Sequence, residues 1–425
     1  MNMNWHYAPP SGWINDPNGL LFDGKAWHLF AQYTPGNGEC GPKHWIHAVS
    51  EDLLRWRDLG VALAPEALGE IWSGSAVTYN GQMIAMYTHH GESEQQSLAF
   101  SDDGIHFTPY AQNPVITNPG LRDFRDPKVF RNEILGGWGM VLAAGDELRF
   151  YHSADLLEWE QTGAFGKAEN LMGGIFECPD LFCLTAPNGS DVWVLTASMG
   201  IAAELGGCKM QYFLGTFDGK TFHQTIPSKK PLLMDFGADN YAAVAFFDAE
   251  PVQIGWAGNW AYTDHVPLES GCMTLARRVS LVQTNQGLRL AWEPVLPALS
   301  APVAMSCGGI DLTLPAEPFV LDITASGDFS AALVNDAGER FAFGCEAGVF
   351  FADREGTSSL PFSRLEQRRL MDGPVEMRLV FENTIAELYA DAGTYACTTR
   401  LFPAQPYNRL ELTGECSATI MIEKA

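Results

Sequence analysis

The chain has 425 residues and is 46% hydrophobic, enough apolar material for sizeable cores, which excludes global disorder. Its 51 acidic against 26 basic side chains give a formal net charge of −25, which argues against nucleic acid and anionic membrane surfaces as partners. The 42 Gly, 25 Pro, 25 Phe, 12 Trp and 12 Tyr read as strands joined by many turns. No uninterrupted apolar stretch is long enough for a spanning helix. Met1 to Pro10 lacks a basic region followed by an apolar run, and the nine Cys are scattered without a Cys-x-x-Cys pair. Free thiols in a reducing compartment, the cytoplasm, are therefore expected.

In chain order, the first feature is Trp13-Ile-Asn-Asp-Pro-Asn-Gly19, an acidic turn sequence. Lys25 to Tyr33 follows as an alternating strand. A repeat then begins. Ser50-Glu-Asp-Leu-Leu-Arg-Trp56 is echoed by Ser101-Asp-Asp-Gly-Ile-His-Phe107, Ser153-Ala-Asp-Leu-Leu-Glu-Trp159 and, more weakly, Thr216-Phe-Asp-Gly-Lys-Thr-Phe222. In each copy an Asp precedes an aromatic by four, and the Asp-to-Asp spacings are 51, 52 and 63. Strand-rich periods of this length mark a β-propeller, with Ser and Asp bonding a turn and the aromatic packing between blades. Four copies and the unmatched strands near 240–295 predict five blades over residues 1–295. Pro, Ala and Ser between Leu296 and Pro302 predict a linker over 296–305. Short strands such as Phe319–Thr324, Glu376–Phe381 and Ala386–Tyr389 predict a β-sandwich over 306–425.

Two further acidic motifs lie within the repeat, Phe124-Arg-Asp-Pro-Lys-Val-Phe130 and Ile175-Phe-Glu-Cys-Pro-Asp-Leu-Phe182. Asp16 and Asp126 are 110 apart, and Asp126 and Glu177 are 51 apart, about two blades and one blade. Acids in phase with a propeller repeat converge at one end of its axis. Arg125 is expected to hold its neighbouring carboxylate ionised, and Phe176 and Cys178 to give Glu177 apolar surroundings. One ionised and one protonated carboxyl are the equipment of glycoside hydrolysis.

These motifs, in this order, resemble glycoside hydrolase family 32, the invertases, levanases, inulinases and sucrose-6-phosphate hydrolases. Phe30–Tyr33, His44–Val49, Trp72–Ala76, Asp235–Ala243, Ile254–Trp256, Met273–Arg278 and Val380–Pro403 are similar to further blocks of that family. The resemblance implies a five-bladed propeller followed by a β-sandwich, and a retaining β-fructofuranosidase. It assigns Asp16 as nucleophile, Glu177 as general acid and base, and Asp126 as the transition-state stabiliser with Arg125 beside it. Asn15, Gln32, Trp72, Ser73 and Tyr241 would line the fructose subsite, with Cys178 adjoining the acid.

The sequence departs from the family at Cys40-Gly41, where a Trp-Gly pair is frequent, and Trp45 is the candidate to replace that wall. After Tyr241, Ala-Ala stands where Gln-Thr is frequent. His44, His47, His89 and His90 lack a converging ligand set, so neither a metal nor any other cofactor is expected. A sialidase-like propeller would need an arginine cluster that 26 basic residues hardly supply, and a silent fructan-binding propeller would not need all three acids. A small sugar is the expected partner, and an oligomer is compatible with the sequence. Lys43 and Lys209 are the candidates for holding a sugar phosphate.

Overall fold

A computed structural model describes residues 3–36, 41–202, 206–267, 271–306, 312–357 and 360–424. Five four-stranded antiparallel sheets follow one another along the chain, each with its strands in sequence order. Their innermost strands are Trp13–Phe22, Glu70–Tyr79, Arg125–Arg131, Phe176–Thr185 and Tyr241–Ala245, and these neighbour one another around a central axis. The ring closes where the last of them returns to the first, through Phe247 N–H donating to Leu20 O at 2.9 Å and Phe22 N–H donating to Phe247 O at 3.0 Å. The protein is thus a five-bladed propeller, as the repeat predicts.

The four repeated turns occupy one place, the link between the third and fourth strands of blades 1 to 4. Asp52 Oδ1 accepts from the amides of Leu54 and Arg55 at 2.9 and 2.8 Å, and Asp103, Asp155 and Asp218 repeat this pattern. The residue after each Asp is left-handed: Leu53, Gly104, Leu156 and Gly219 have φ of 66, 72, 72 and 89°. The strain of the two leucines is offset by burial of their side chains. Phe107 packs edge-on against Phe30 of blade 1, and Phe222 against Phe165 of blade 3, so these two aromatics bridge blades, while Trp56 meets Tyr7 of the N-terminal segment and Trp159 Nε1 donates to Leu156 O in its own turn. Blade 5 replaces the turn by a tight hairpin, in which Thr284 faces Gly287.

From Val303 onward the strands form a separate sheet that folds around its own core. The expectation of short strands is corrected at two places. Phe319–Val334 and Arg409–Ile422 are long and paired along both halves, on either side of a slip between Ala325 and Phe329. One half of Phe319–Val334 also pairs with Val375–Glu382 and the other with Arg340–Glu346, which turns the sheet into a β-sandwich.

A buried ionic network joins the sandwich to the propeller. Arg277 of blade 5 bonds Asp235 at 2.8 Å and Glu387 of the sandwich at 3.0 Å, and His6 lies between Glu382 and Glu387 at 2.6 and 3.2 Å. Asp239 pairs with Arg354 at 2.8 Å. Asp235 and Asp239, within a stretch that resembles a family block, thus face the sandwich.

Candidate active site

Each innermost strand carries a β-bulge at the same level, and that of blade 1 has a second between Asn18 and Leu21. At the shared level three residues advance on the strand while its neighbour advances two, between Ile14 and Pro17, Ile71 and Gly74, Arg125 and Lys128, Glu177 and Asp180, and Tyr241 and Val244. The bulged pairs are Asn15-Asp16, Trp72-Ser73, Asp126-Pro127, Cys178-Pro179 and Ala242-Ala243. A bulge re-aims side chains that strict alternation would send to one face or the other. Asp126, Cys178 and Ala242 take φ of 62, 43 and 54° to do so. Pro17, Pro127 and Pro179 fit there because proline has no N–H for the ladder.

The three acids are therefore brought together around Cys178 and Arg125. Cys178 Sγ lies 3.6 Å from both Asp16 Oδ2 and Asp126 Oδ2, and the Cys178 amide donates to Asp126 Oδ2 at 2.8 Å. Ser73 Oγ donates to Asp16 Oδ2 at 2.9 Å, Gln32 Nε2 to Ser73 Oγ at 2.5 Å, and Asn15 Nδ2 to Gln32 Oε1 at 2.9 Å. Tyr241 hydroxyl donates to Glu177 Oε2 at 2.5 Å, and Arg125 Nη2 donates to Glu177 Oε1 at 3.0 Å. Trp72 forms the rim, stacked on His90 with ring centres 3.7 Å apart.

Several expectations are corrected. Trp45 is 0% exposed: its Nε1 donates to Trp72 O at 2.9 Å, and Phe30 and Tyr87 pack beside its ring. It supports the backbone of Trp72 and presents no exposed face to a sugar. Glu177 lies against a guanidinium and a phenol, not in apolar surroundings, because Phe176 turns into the core. Lys209 is buried with its Nζ on the carbonyls of Phe236 and Gly237, so it is closed to a phosphate. Lys43 Nζ reaches Thr34 Oγ1 at 3.0 Å. Asp180 serves the scaffold, paired with Lys128 at 3.4 Å and accepting from the Ala245 amide at 2.5 Å. Cys40 lies outside the described residues.

Burial dominates the electrostatics. It pushes Asp126 up to about 7, against the pull of Arg125 and with the repulsion of Glu177. Arg125, 4.0 Å away through Nε, therefore does not keep this carboxyl ionised at low pH, contrary to expectation. Asp16 is also raised, first by burial and then by Glu177, while Asn15, Ser73 and Cys178 oppose the shift. Sequence reasoning missed Glu94, a buried carboxylate bonded to Arg125 at 3.0 and 3.2 Å. It stands in the polar run Glu92–Gln96, and no motif marks it.

Residues 6–294 match the Glycosyl hydrolases family 32 N-terminal domain. The chain is 42% identical over 314 residues to a levanase of Bacillus subtilis, a match covering 68% of this chain and 46% of the relative. It spans about half the length of the two Bacillus levanases it matches. The crystal structure of an exo-inulinase from Aspergillus awamori superposes with a TM-score of 0.90 at 29% identity, covering 100% of this chain and 98% of the other. A single-residue variant of a fructofuranosidase from Schwanniomyces occidentalis, complexed with fructosylnystose, superposes with a TM-score of 0.89 at 27% identity over 99% and 98% of the two chains.

Proposed function

The chain belongs to glycoside hydrolase family 32, and from that premise we propose that it is a retaining β-fructofuranosidase. It removes terminal β-D-fructofuranosyl residues from sucrose or short fructo-oligosaccharides by double displacement. The observation that carries this reading is the convergence of Asp16, Asp126 and Glu177 around Cys178. Asp16 carboxylate attacks the anomeric C2 while Glu177 gives its proton to the leaving oxygen, so the glycosidic bond breaks as an ester to Asp16 forms. Glu177, now a carboxylate, takes a proton from water, and the resulting hydroxide displaces Asp16 and frees fructose. Asp126 and Arg125 bind fructosyl hydroxyls, Asn15, Gln32, Ser73 and Tyr241 complete that subsite, and Trp72 walls it.

Asp16→Asn and Glu177→Gln are expected to abolish fructose release while circular dichroism and Tm stay near wild type. Fructose release by Asp16→Asn protein at the wild-type rate overturns the assignment. NMR of the first product formed decides the stereochemistry, β-fructose being expected. The likeness to levanases and exo-inulinases supports a second reading, an exo-acting fructanase. Values of kcat/KM on sucrose, sucrose-6-phosphate, inulin and levan separate the two, and the burial of Lys209 favours the unphosphorylated sugars. Location is a separate proposal: the seven described cysteines are free thiols, which fits a reducing compartment such as the cytoplasm, and cell fractionation tests it.

A further inference from the structure

Arg125 is a single cation set among four carboxylates. Its Nη1 donates to Asp123 Oδ1 at 2.8 Å and to both oxygens of Glu94 at 3.0 and 3.2 Å. Its Nη2 donates to Glu177 at 3.0 Å, and its Nε lies 4.0 Å from Asp126. The face of Trp72 lies 5.8 Å from its central carbon. The guanidinium is thus divided: Nη1 is held by two acids outside the catalytic set, and the remaining edge meets two acids within it. The two holders differ. The Asp123 side chain is 19% exposed and sits on the segment before the innermost strand of blade 3, whereas Glu94 is 5% exposed on the third strand of blade 2. Glu94 Oε2 also accepts from the Phe124 amide at 2.5 Å. One buried carboxylate therefore grips both the side chain of Arg125 and the backbone of Phe124, two residues before Asp126 takes its left-handed turn. Within the same blade Thr88 Oγ1 accepts from the Asp126 amide at 3.0 Å, and Gln96 Nε2 donates to Phe124 O at 2.8 Å.

We propose that Glu94 is a positioning residue: by fixing Nη1 of Arg125 and the Phe124 amide, it aims the guanidinium at Asp126 and Glu177 and offsets part of its charge there. This rests on the catalytic roles proposed above. Glu94 touches no reacting atom in that mechanism and acts through Arg125. Besides Arg125, the titratable group against it among the described residues is His90, at 3.5 Å, and Glu177 is faced in addition by Tyr241, Asp16 and Asp126.

Glu94→Gln keeps the size and an acceptor for Phe124 but removes the charge. Arg125 then favours the ionised forms of Asp126 and Glu177 more strongly. A proton donor so placed gives up its proton at lower pH, so the alkaline limb of kcat/KM moves to lower pH. Fructose release is followed from sucrose or levan, whichever wild type turns over faster. The expected result is kcat lower by about 10- to 100-fold, KM within about threefold of wild type, and an alkaline limb shifted by about half a pH unit or more. The shift must persist in a His90→Gln background, which removes the neighbouring imidazole. A purely structural Glu94 lowers Tm and scales kcat/KM equally at every pH, and that outcome overturns the proposal. If Glu94→Gln does not fold, Glu94→Asp decides: its carboxylate is one methylene short of both partners, so a shift of the same sign supports the proposal and an unmoved limb overturns it. Failure of wild type to release fructose from either substrate overturns the parent reading instead and is distinct from both results.

Discussion

At the scale of single residues, the site sets two buried carboxylates, Asp16 and Asp126, beside the partly exposed Glu177, and the fold bears the cost. Asp126 is pushed up to about 7, by burial first and by Glu177 beyond the compensation from Arg125. A raised carboxyl contributes stability that is fully present below its ordinary value of 3.8 and is lost as pH rises through about 7. Asp126→Asn keeps an oxygen to accept the Cys178 amide but cannot ionise. It is expected to raise Tm by about 2–4 °C at pH 8 and by less at pH 5, while fructose release falls sharply. Calorimetry at the two pH values checks this, and an equal shift at both contradicts the account. The acids themselves were legible because each stands in a short motif in phase with the repeat. The burial of Trp45 is not legible, since a tryptophan gives no sign in sequence of which face it buries. Glu94 was missed because its partner, Arg125, is 31 residues away on another blade.

At the scale of elements, the repeat was readable because its turn chemistry recurs in the side chains. Ser50 and Asp52, and Ser153 and Asp155, close the same backbone amides. The bulges are less legible, since a register slip has no composition of its own. Their one mark in the sequence is Asp16-Pro17, Asp126-Pro127 and Cys178-Pro179: proline in the strand nearest the axis has no place in an unbroken ladder. At the bulge of blade 2 Gly74 has the same function by lacking a Cβ. An added methyl there would meet Met86 O at 2.0 Å and Tyr87 Cα at 2.7 Å, both backbone atoms unable to yield. Gly74→Ala is therefore expected to cost about 1–3 kcal/mol and to displace Ser73 from Asp16, lowering kcat/KM. Gly200→Ala, where nothing lies within 4 Å, is the neutral control. Equal Tm and activity for the two variants would remove the bulge from the explanation.

At the scale of the whole molecule, the two bodies are held by buried charge as well as by apolar contact, and this was the least legible feature. The network draws on residues from His6 to Thr398, and no local pattern links them. Its pH response follows from its members. Burial lowers His6, but Glu382 and Glu387 outweigh it and push the imidazole up to about 9. Burial raises Glu387, but Arg277 and His6 outweigh it and hold the carboxyl down at about 2. The contribution of His6 is fully present below its ordinary 6.5 and is lost as pH rises through about 9. That of Glu387 is present above its ordinary 4.5 and is lost as pH falls through about 2. Between 4.5 and 6.5 both hold the sandwich to the propeller. His6→Gln, which cannot become a cation, is therefore expected to melt roughly 2–6 °C below wild type at pH 6, with the gap closing toward pH 10. Asp126 also lowers stability over that range, but it does so in both proteins and cancels in the difference. A gap that stays constant from pH 6 to pH 10 would mean that His6 acts through packing, and that its charge does not join the two bodies.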